Sequence, residues 1–122
     1  MAINVYNLGK IALRRHDGQR AGALFKQAMA LRHEMGNTRG VLECLWASGR
    51  VAAAEQRYER AARLLGSIEP LWEMLEEKGR REYEDDVRAV GTQLGEPVFN
   101  QARAEGRAMS LEQAIEYALG DT

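Results

Sequence analysis

The chain is similar to itself at a shift of forty residues. Leu8-Gly9-Lys10-Ile11-Ala12-Leu13 falls over Ser48-Gly49-Arg50-Val51-Ala52-Ala53, Arg20-Ala21 over Arg60-Ala61, and Leu24-Phe25 over Leu64-Leu65. A period of this length marks a unit that stacks on its neighbours because it cannot bury its apolar face alone. Within each unit the apolar spacing is helical. Leu8, Ile11 and Ala12 form one stripe, and Ala21, Leu24, Phe25, Ala28 and Leu31 a second. Val41, Leu45, Ser48, Gly49 and Ala52 form a third, and Ala61, Leu64, Leu65 and Ile68 a fourth. Asp17-Gly18 breaks the first pair, with Asp17 as N-cap. Gly36 ends the second helix and Asn37 caps the third. The unit is therefore a pair of antiparallel helices. Small residues (Gly9, Ala21, Ala28, Gly49, Ala61) stand where helix axes approach.

Composition agrees with an all-α fold. Of 122 residues 45% are hydrophobic and only two are proline. That length suits one domain. No run approaches the roughly 18 apolar residues of a membrane span, and the first ten residues lack the pattern of a secretory signal. One cysteine, Cys44, excludes an internal disulfide and fits a reducing cytoplasm. The expectation is a cytoplasmic, all-helical single domain over 1–122.

The repeat resembles the tetratricopeptide repeat. Leu8-Gly9, Ala12, Ala21, Phe25 and Ala28 match that family's signature spacings. Ala12 stands where the family often has Tyr, Val5 where it has Trp, and Ser48 replaces a Leu in the second unit. Ile68 stands where Ala28 stood, and the period is forty rather than thirty-four. Ala52-Ala53-Ala54-Glu55, Glu59 to Gly66, Leu94 to Phe99 and Glu105 to Ala114 are also similar to the C-terminal repeat region of large bacterial LuxR-type regulators, which carry an ATPase module ahead of the repeats. The resemblance implies antiparallel helix pairs stacked as a short right-handed superhelix with C-terminal capping helices. It also implies a non-catalytic protein-interaction scaffold, either a C-terminal fragment or a free-standing relative of such a regulator.

On this reading 1–36 is the first repeat, 37–77 the second, and 80–119 the C-terminal helices and cap. Pro70 predicts a kink or break near Gly66 to Pro70, with helix resuming to about Glu77. Lys78-Gly79 is a turn. Arg81 to Leu94 reads as a helix with Tyr83, Val87, Val90 and Leu94 on one face. Its Gly91 implies a close neighbour. Gly95 and Pro97 start another helix, anchored by Val98, Phe99 and Ala102 and ended by Gly106. Ser110 with Gln113 makes a capping box for a last helix with Leu111, Ala114, Ile115, Ala118 and Leu119 on one stripe. That helix is read as a cap over the end of the stack.

No motif carries chemistry. His16 and His33 belong to no metal-ligand pair, no Cys-x-x-Cys occurs, and no phosphate loop is present. No catalytic residue, metal or cofactor is expected. Cys44 reads as a small buried hydrophobe, and His16 as a helix-end residue beside Asp17. The acidic run Glu82, Glu84, Asp85, Asp86 reads as a solvated or partner-facing surface. Trp46 and Trp72 both suit a core, although Trp46 falls off its helix's stripe.

Charge divides the chain. Residues 1–63 hold eleven Lys/Arg against five Asp/Glu, and residues 64–122 six against thirteen. The basic half raises an alternative function, nucleic-acid binding. The basic residues are spread over several helices, so mutual attraction of the two halves, within or between chains, is the competing account. An uncapped N-terminal end, with Ile3 and the outer edge of the second helix, points to a homodimer.

The candidate partner-binding residues follow from the period. Tyr6 and Trp46 are forty apart, as are Lys10 and Arg50, and each cation lies one turn beyond its aromatic. Leu8, Ile11, Leu45 and Ala52 should point inward and leave this second face open. Two aromatics and two cations suit an acidic or C-terminal peptide with an apolar anchor, the Glu82 to Asp86 stretch of a neighbouring chain among the candidates. The competing reading packs Tyr6 and Trp46 between helices of the same chain.

Overall fold

The structure is a computed structural model that describes residues 4–74 and 79–120, without side chains at 72–74. The described chain is 86% helical and has no strand. Seven α-helices follow in order: α1 (Val5–Arg14), α2 (Gly18–Glu34), α3 (Thr38–Ala54), α4 (Tyr58–Ile68), α5 (Arg80–Leu94), α6 (Glu96–Arg107) and α7 (Leu111–Leu119). The all-helical expectation is thus met among the described residues. Ile3, the Trp72 side chain, the expected helix end near Glu77 and the turn residue Lys78 lie outside the described residues.

The first three connections are copies of one turn. His16, Gly36 and Gln56 all take positive φ (62°, 72° and 63°) at twenty-residue intervals. In each, the next residue's N–H reaches back five residues: Asp17 to the Ala12 carbonyl, Asn37 to Arg32, and Arg57 to Ala52. This left-handed helix ending satisfies carbonyls that the helix leaves unpaired. Asp17 Oδ1 then accepts from the Arg20 N–H (3.1 Å) and Asn37 Oδ1 from the Gly40 N–H (3.0 Å), the two caps read from sequence. The capping box of Ser110 and Gln113 is complete.

Proline breaks the pattern where expected. α4 stops at Ile68, and Glu69–Met74 continues as a 3-10 segment with Leu71 out of helical geometry (φ −111°, ψ 19°). Gly95 (φ 81°) turns the chain between α5 and α6.

Successive helices pack on one another through the first two repeats, α1 on α2, α2 on α3 and α3 on α4. Two adjoining cores result. The smaller gathers Ala12, Ala21, Phe25, Ala47 and Val51 between the repeats. The larger runs from Met29 and Leu42 through Leu45, Leu64, Leu65 and Ile68 to Val90, Ala102 and Ile115.

The third helix pair does not repeat this. α4 packs chiefly against α6, and α5 touches it lightly. The cause is a pair of facing glycines. A Cβ on Gly66 would run into the Arg103 carbonyl oxygen, and one on Gly106 into the Arg63 carbonyl oxygen. Bare backbone on both sides lets α4 and α6 cross at close range. Gly106, read as the end of α6, stands one residue before that end and is also its buried contact with α4. α7 lies against α2, α3 and α4, across the middle of the molecule, where the sequence reading put it over the end of the stack. Arg60 fixes it there by donating to the Ala118 carbonyl (3.0 Å) at its C-terminus, where a cation suits the helix dipole.

Several stripe residues are not core. Leu8 and Ile11, expected inward, are 37% and 42% exposed, because no described element lies on that side of α1. Val51, the equivalent of Ile11, is buried beside Gly22 of α2. Leu31, Val98 and Leu119 are likewise exposed. Met29, Leu42, Ala47 and Val51, outside the sequence-derived stripes, are buried.

Candidate functional site

The two aromatic–cation pairs sit at the same place on α1 and α3 and meet different surroundings. In the second pair, the Trp46 indole Nε1 and the Arg50 Nε both donate to Asp86 Oδ2, each at 2.7 Å. Arg50 also pairs with Glu82 (3.6 Å) and lies over the Trp46 ring, 5.1 Å from its centroid. The ring meets Tyr83 edge-on at 5.7 Å, and Gly79 is close enough that a Cβ would touch it at 3.2 Å. Asp86, Glu82 and Tyr83 belong to α5 of the same chain. The acidic stretch, one candidate partner when taken from a neighbouring molecule, is here supplied by the same chain, and the second pair is closed. Its acceptor was legible in principle. Asp86 is a further forty residues beyond Trp46, the third term of the series that begins at Tyr6.

The first pair has no such acid. Lys10 is exposed, 5.6 Å above the Tyr6 centroid, with no carboxylate in ion-pair range among the described residues. Tyr6 leans on Phe25 (5.5 Å, 58°). Its other partner is Arg32 of α2, which sequence reasoning missed. The Arg32 guanidinium stacks 4.4 Å from the Tyr6 centroid, while its Nη1 donates to the Gly40 carbonyl (3.0 Å) and to Glu43 (3.1 Å). Burial, and then the nearby Glu43 carboxylate, push the Tyr6 phenol above its ordinary pKa. The phenol stays neutral at physiological pH and keeps its hydroxyl as a donor.

Below the second pair, Tyr83 anchors α5. Its hydroxyl donates to the Leu65 carbonyl (2.5 Å) and lies 3.0 Å from Glu69 Oε2. Glu69 in turn accepts from Arg103 Nε (2.6 Å) and pairs with Arg107 (3.5 Å). Burial, followed by the Glu69 charge, raises the Tyr83 pKa strongly. Cys44 is buried and its thiol is pushed up to about 11, with burial the main cause. It stays protonated and is a poor nucleophile at neutral pH. Of the acidic run, Asp85 pairs with Arg88 on its own helix and Glu84 is exposed. His33 reaches Glu112 of α7 (3.4 Å). No cluster of three or more metal-ligating side chains exists among the described residues. None of their helices is long and apolar enough to cross a membrane. Comparison of the chain with protein-family models, with curated proteins and with solved structures returns no match.

Proposed function

We propose that the chain is a non-catalytic protein-interaction module, a short tetratricopeptide-like right-handed superhelix related to the repeat regions of LuxR-type bacterial regulators. Its open acceptor is the Tyr6–Lys10 face of α1. The observation that carries this reading is the internal capture of Asp86 by Trp46 and Arg50. That contact is a worked example of what an aromatic–cation pair on this helix face holds, namely the carboxylate of an amphipathic helix. Tyr6 and Lys10 present the same chemistry at the equivalent place, with Lys10 available. The partner is an acidic helical peptide carrying an apolar anchor.

Much of the basic half is committed inside the fold. Arg32, Arg50, Arg60 and Arg63 all bond to groups of the same chain. That weighs against the nucleic-acid alternative, which needs phosphate-facing cations. The exposed Leu8 and Ile11 offer a surface for a homodimer. Light scattering gives twice 13.7 kDa if they serve this way and the monomer mass if they do not.

The test of the acceptor is fluorescence anisotropy with a labelled peptide copying residues 80–94. Binding that falls at least fivefold in Lys10→Glu, with the melting temperature unchanged, supports the reading. Undiminished binding in Lys10→Glu rejects it.

A further inference from the structure

The light seating of α5 leaves a cavity of about 300 Å³ between α3, α4 and α5. Its wall is apolar and largely buried: Gly49, Ala53, Leu65 and Val90. Its mouth holds the more exposed Arg50, Asp86 and Gln93. The volume is at the lower end of that of small-molecule sites.

The repeat explains why space exists here. At the matching positions of the first repeat stand Leu13 and Phe25, where the second has Ala53 and Leu65. Phe25 is fully buried and presses on Gly9, with Leu13 packed on the same cluster. Exchanging that pair for Ala and Leu removes about six carbon atoms from the equivalent volume.

The mouth selects by charge. Trp46 and Arg50 both donate to Oδ2 of Asp86, and Oδ1 accepts no hydrogen bond from any described residue. Glu82, one turn back on α5 and outside the cavity lining, pairs with the same Arg50 guanidinium, so two carboxylates share one cation. Asp86 is thus only partly neutralised by Arg50, and its Oδ1 is left without a donor among the described residues. We propose that this cavity binds a small amphiphilic amine, its hydrocarbon body of about six carbons along the apolar wall and its ammonium head on Asp86 Oδ1. A lysine side chain of a partner protein does not fit this polarity. It would enter head first and set its charge against Leu65 and Val90.

The experiment is an NMR titration of the intact chain with n-hexylammonium, n-hexanol and n-hexanoate, which share a tail and differ in the head. Hexylammonium is expected to shift the Ala53 and Val90 methyl signals saturably and to bind at least about fivefold tighter than hexanoate, with hexanol between them. Ala53→Leu and Leu65→Phe, each borrowed from the first repeat, should remove binding without lowering the melting temperature. Hexanoate binding as tightly as hexylammonium, no saturable shift with any probe, or binding that persists in the filled variants overturns the proposal. The head-group order on the unaltered chain decides the matter by itself if a filled variant fails to fold.

Discussion

The junction of the first repeat with the second and the junction of the second with the helices after it begin from the same sequence spacing and end differently. At the first, α3 lies on α2, Phe25 fills the space beside Gly9, and Ala47 and Val51 close the core. At the second, α5 adds polar tethers to the core contacts of Tyr83 and Val90: Trp46 and Arg50 to Asp86, and the Tyr83 hydroxyl to Leu65 and Glu69. α6 takes the close place on α4 through Gly66 and Gly106. Helical periodicity therefore sets which residues form helices and turns, while a few side-chain volumes decide whether the stack continues in the same manner. Leu for Phe and Ala for Leu loosen one neighbour, and glycine on both sides of a crossing admits another.

The largest expected effect tests that substitution of neighbours. Gly106→Ala puts a methyl group against the Arg63 carbonyl, which belongs to the backbone and cannot turn aside. Gly66→Ala does the same at Arg103. Each should cost more than about 3 kcal/mol in urea unfolding, even though alanine favours helix by about 1 kcal/mol. A loss below 1 kcal/mol in both would mean that α4 and α6 do not cross where these glycines place them.

Equivalent glycines in the two repeats give a sharper contrast. A Cβ on Gly9 would lie 2.8 Å from the packed Phe25 ring, and one on Gly49 would lie 3.1 Å from Leu65. Phe25 is enclosed, whereas Leu65 borders the cavity and can yield into it. Gly9→Ala should lose about 1–2 kcal/mol, and Gly49→Ala should be close to neutral because the helix-propensity gain offsets a small repacking cost. Equal losses at the two sites would remove the distinction between a filled and an open junction.

These positions also show what could be read beforehand. The helices, the Asp17 and Asn37 caps, the capping box at Ser110 and the Pro70 break are local, written within a turn or two of chain, and periodicity and turn chemistry expose them. The aromatic–cation pairs were visible because the period itself put Tyr6 over Trp46. What a pair touches is set by distant residues. Only the period carried one step further, and nothing near Trp46 itself, points to Asp86, and nothing near Gly106 announces that the end of its helix is also a crossing. Leu8 and Ile11 show the same limit, since a stripe names a face of a helix without naming the neighbour that covers it.

Alkaline pH separates the junctions by another route. Tyr83 and Tyr6 both have raised pKa values, Tyr83 by more. A raised pKa in the folded state means that the protonated phenol is favoured by folding. Its stabilisation is complete below the unfolded tyrosine value of about 10 and is lost as pH climbs from there toward the folded value. By pH 11 the loss at Tyr83 should reach roughly 1 kcal/mol, and the loss at Tyr6 should be smaller. Tyr83→Phe should flatten the decline between pH 10 and 11 more than Tyr6→Phe does. The reverse order would place the tighter phenol in the first repeat.

The smallest expected effect concerns what the two repeats still share. His16 and Gln56 occupy the same left-handed position, forty residues apart, in turns with the same backbone hydrogen bonds. A residue with a Cβ is strained there by about 1 kcal/mol, and the third copy of the turn, at position 36, already has glycine. His16→Gly and Gln56→Gly should each stabilise by about 0.5–1 kcal/mol, part of the strain relief being lost to the freer unfolded chain. The two gains should agree to within a few tenths of a kcal/mol, because the turns match even though the junctions beyond them differ. Calorimetry on the two single variants checks this. A gain at one site and a loss at the other would show that the divergence of the repeats reaches back into their turns.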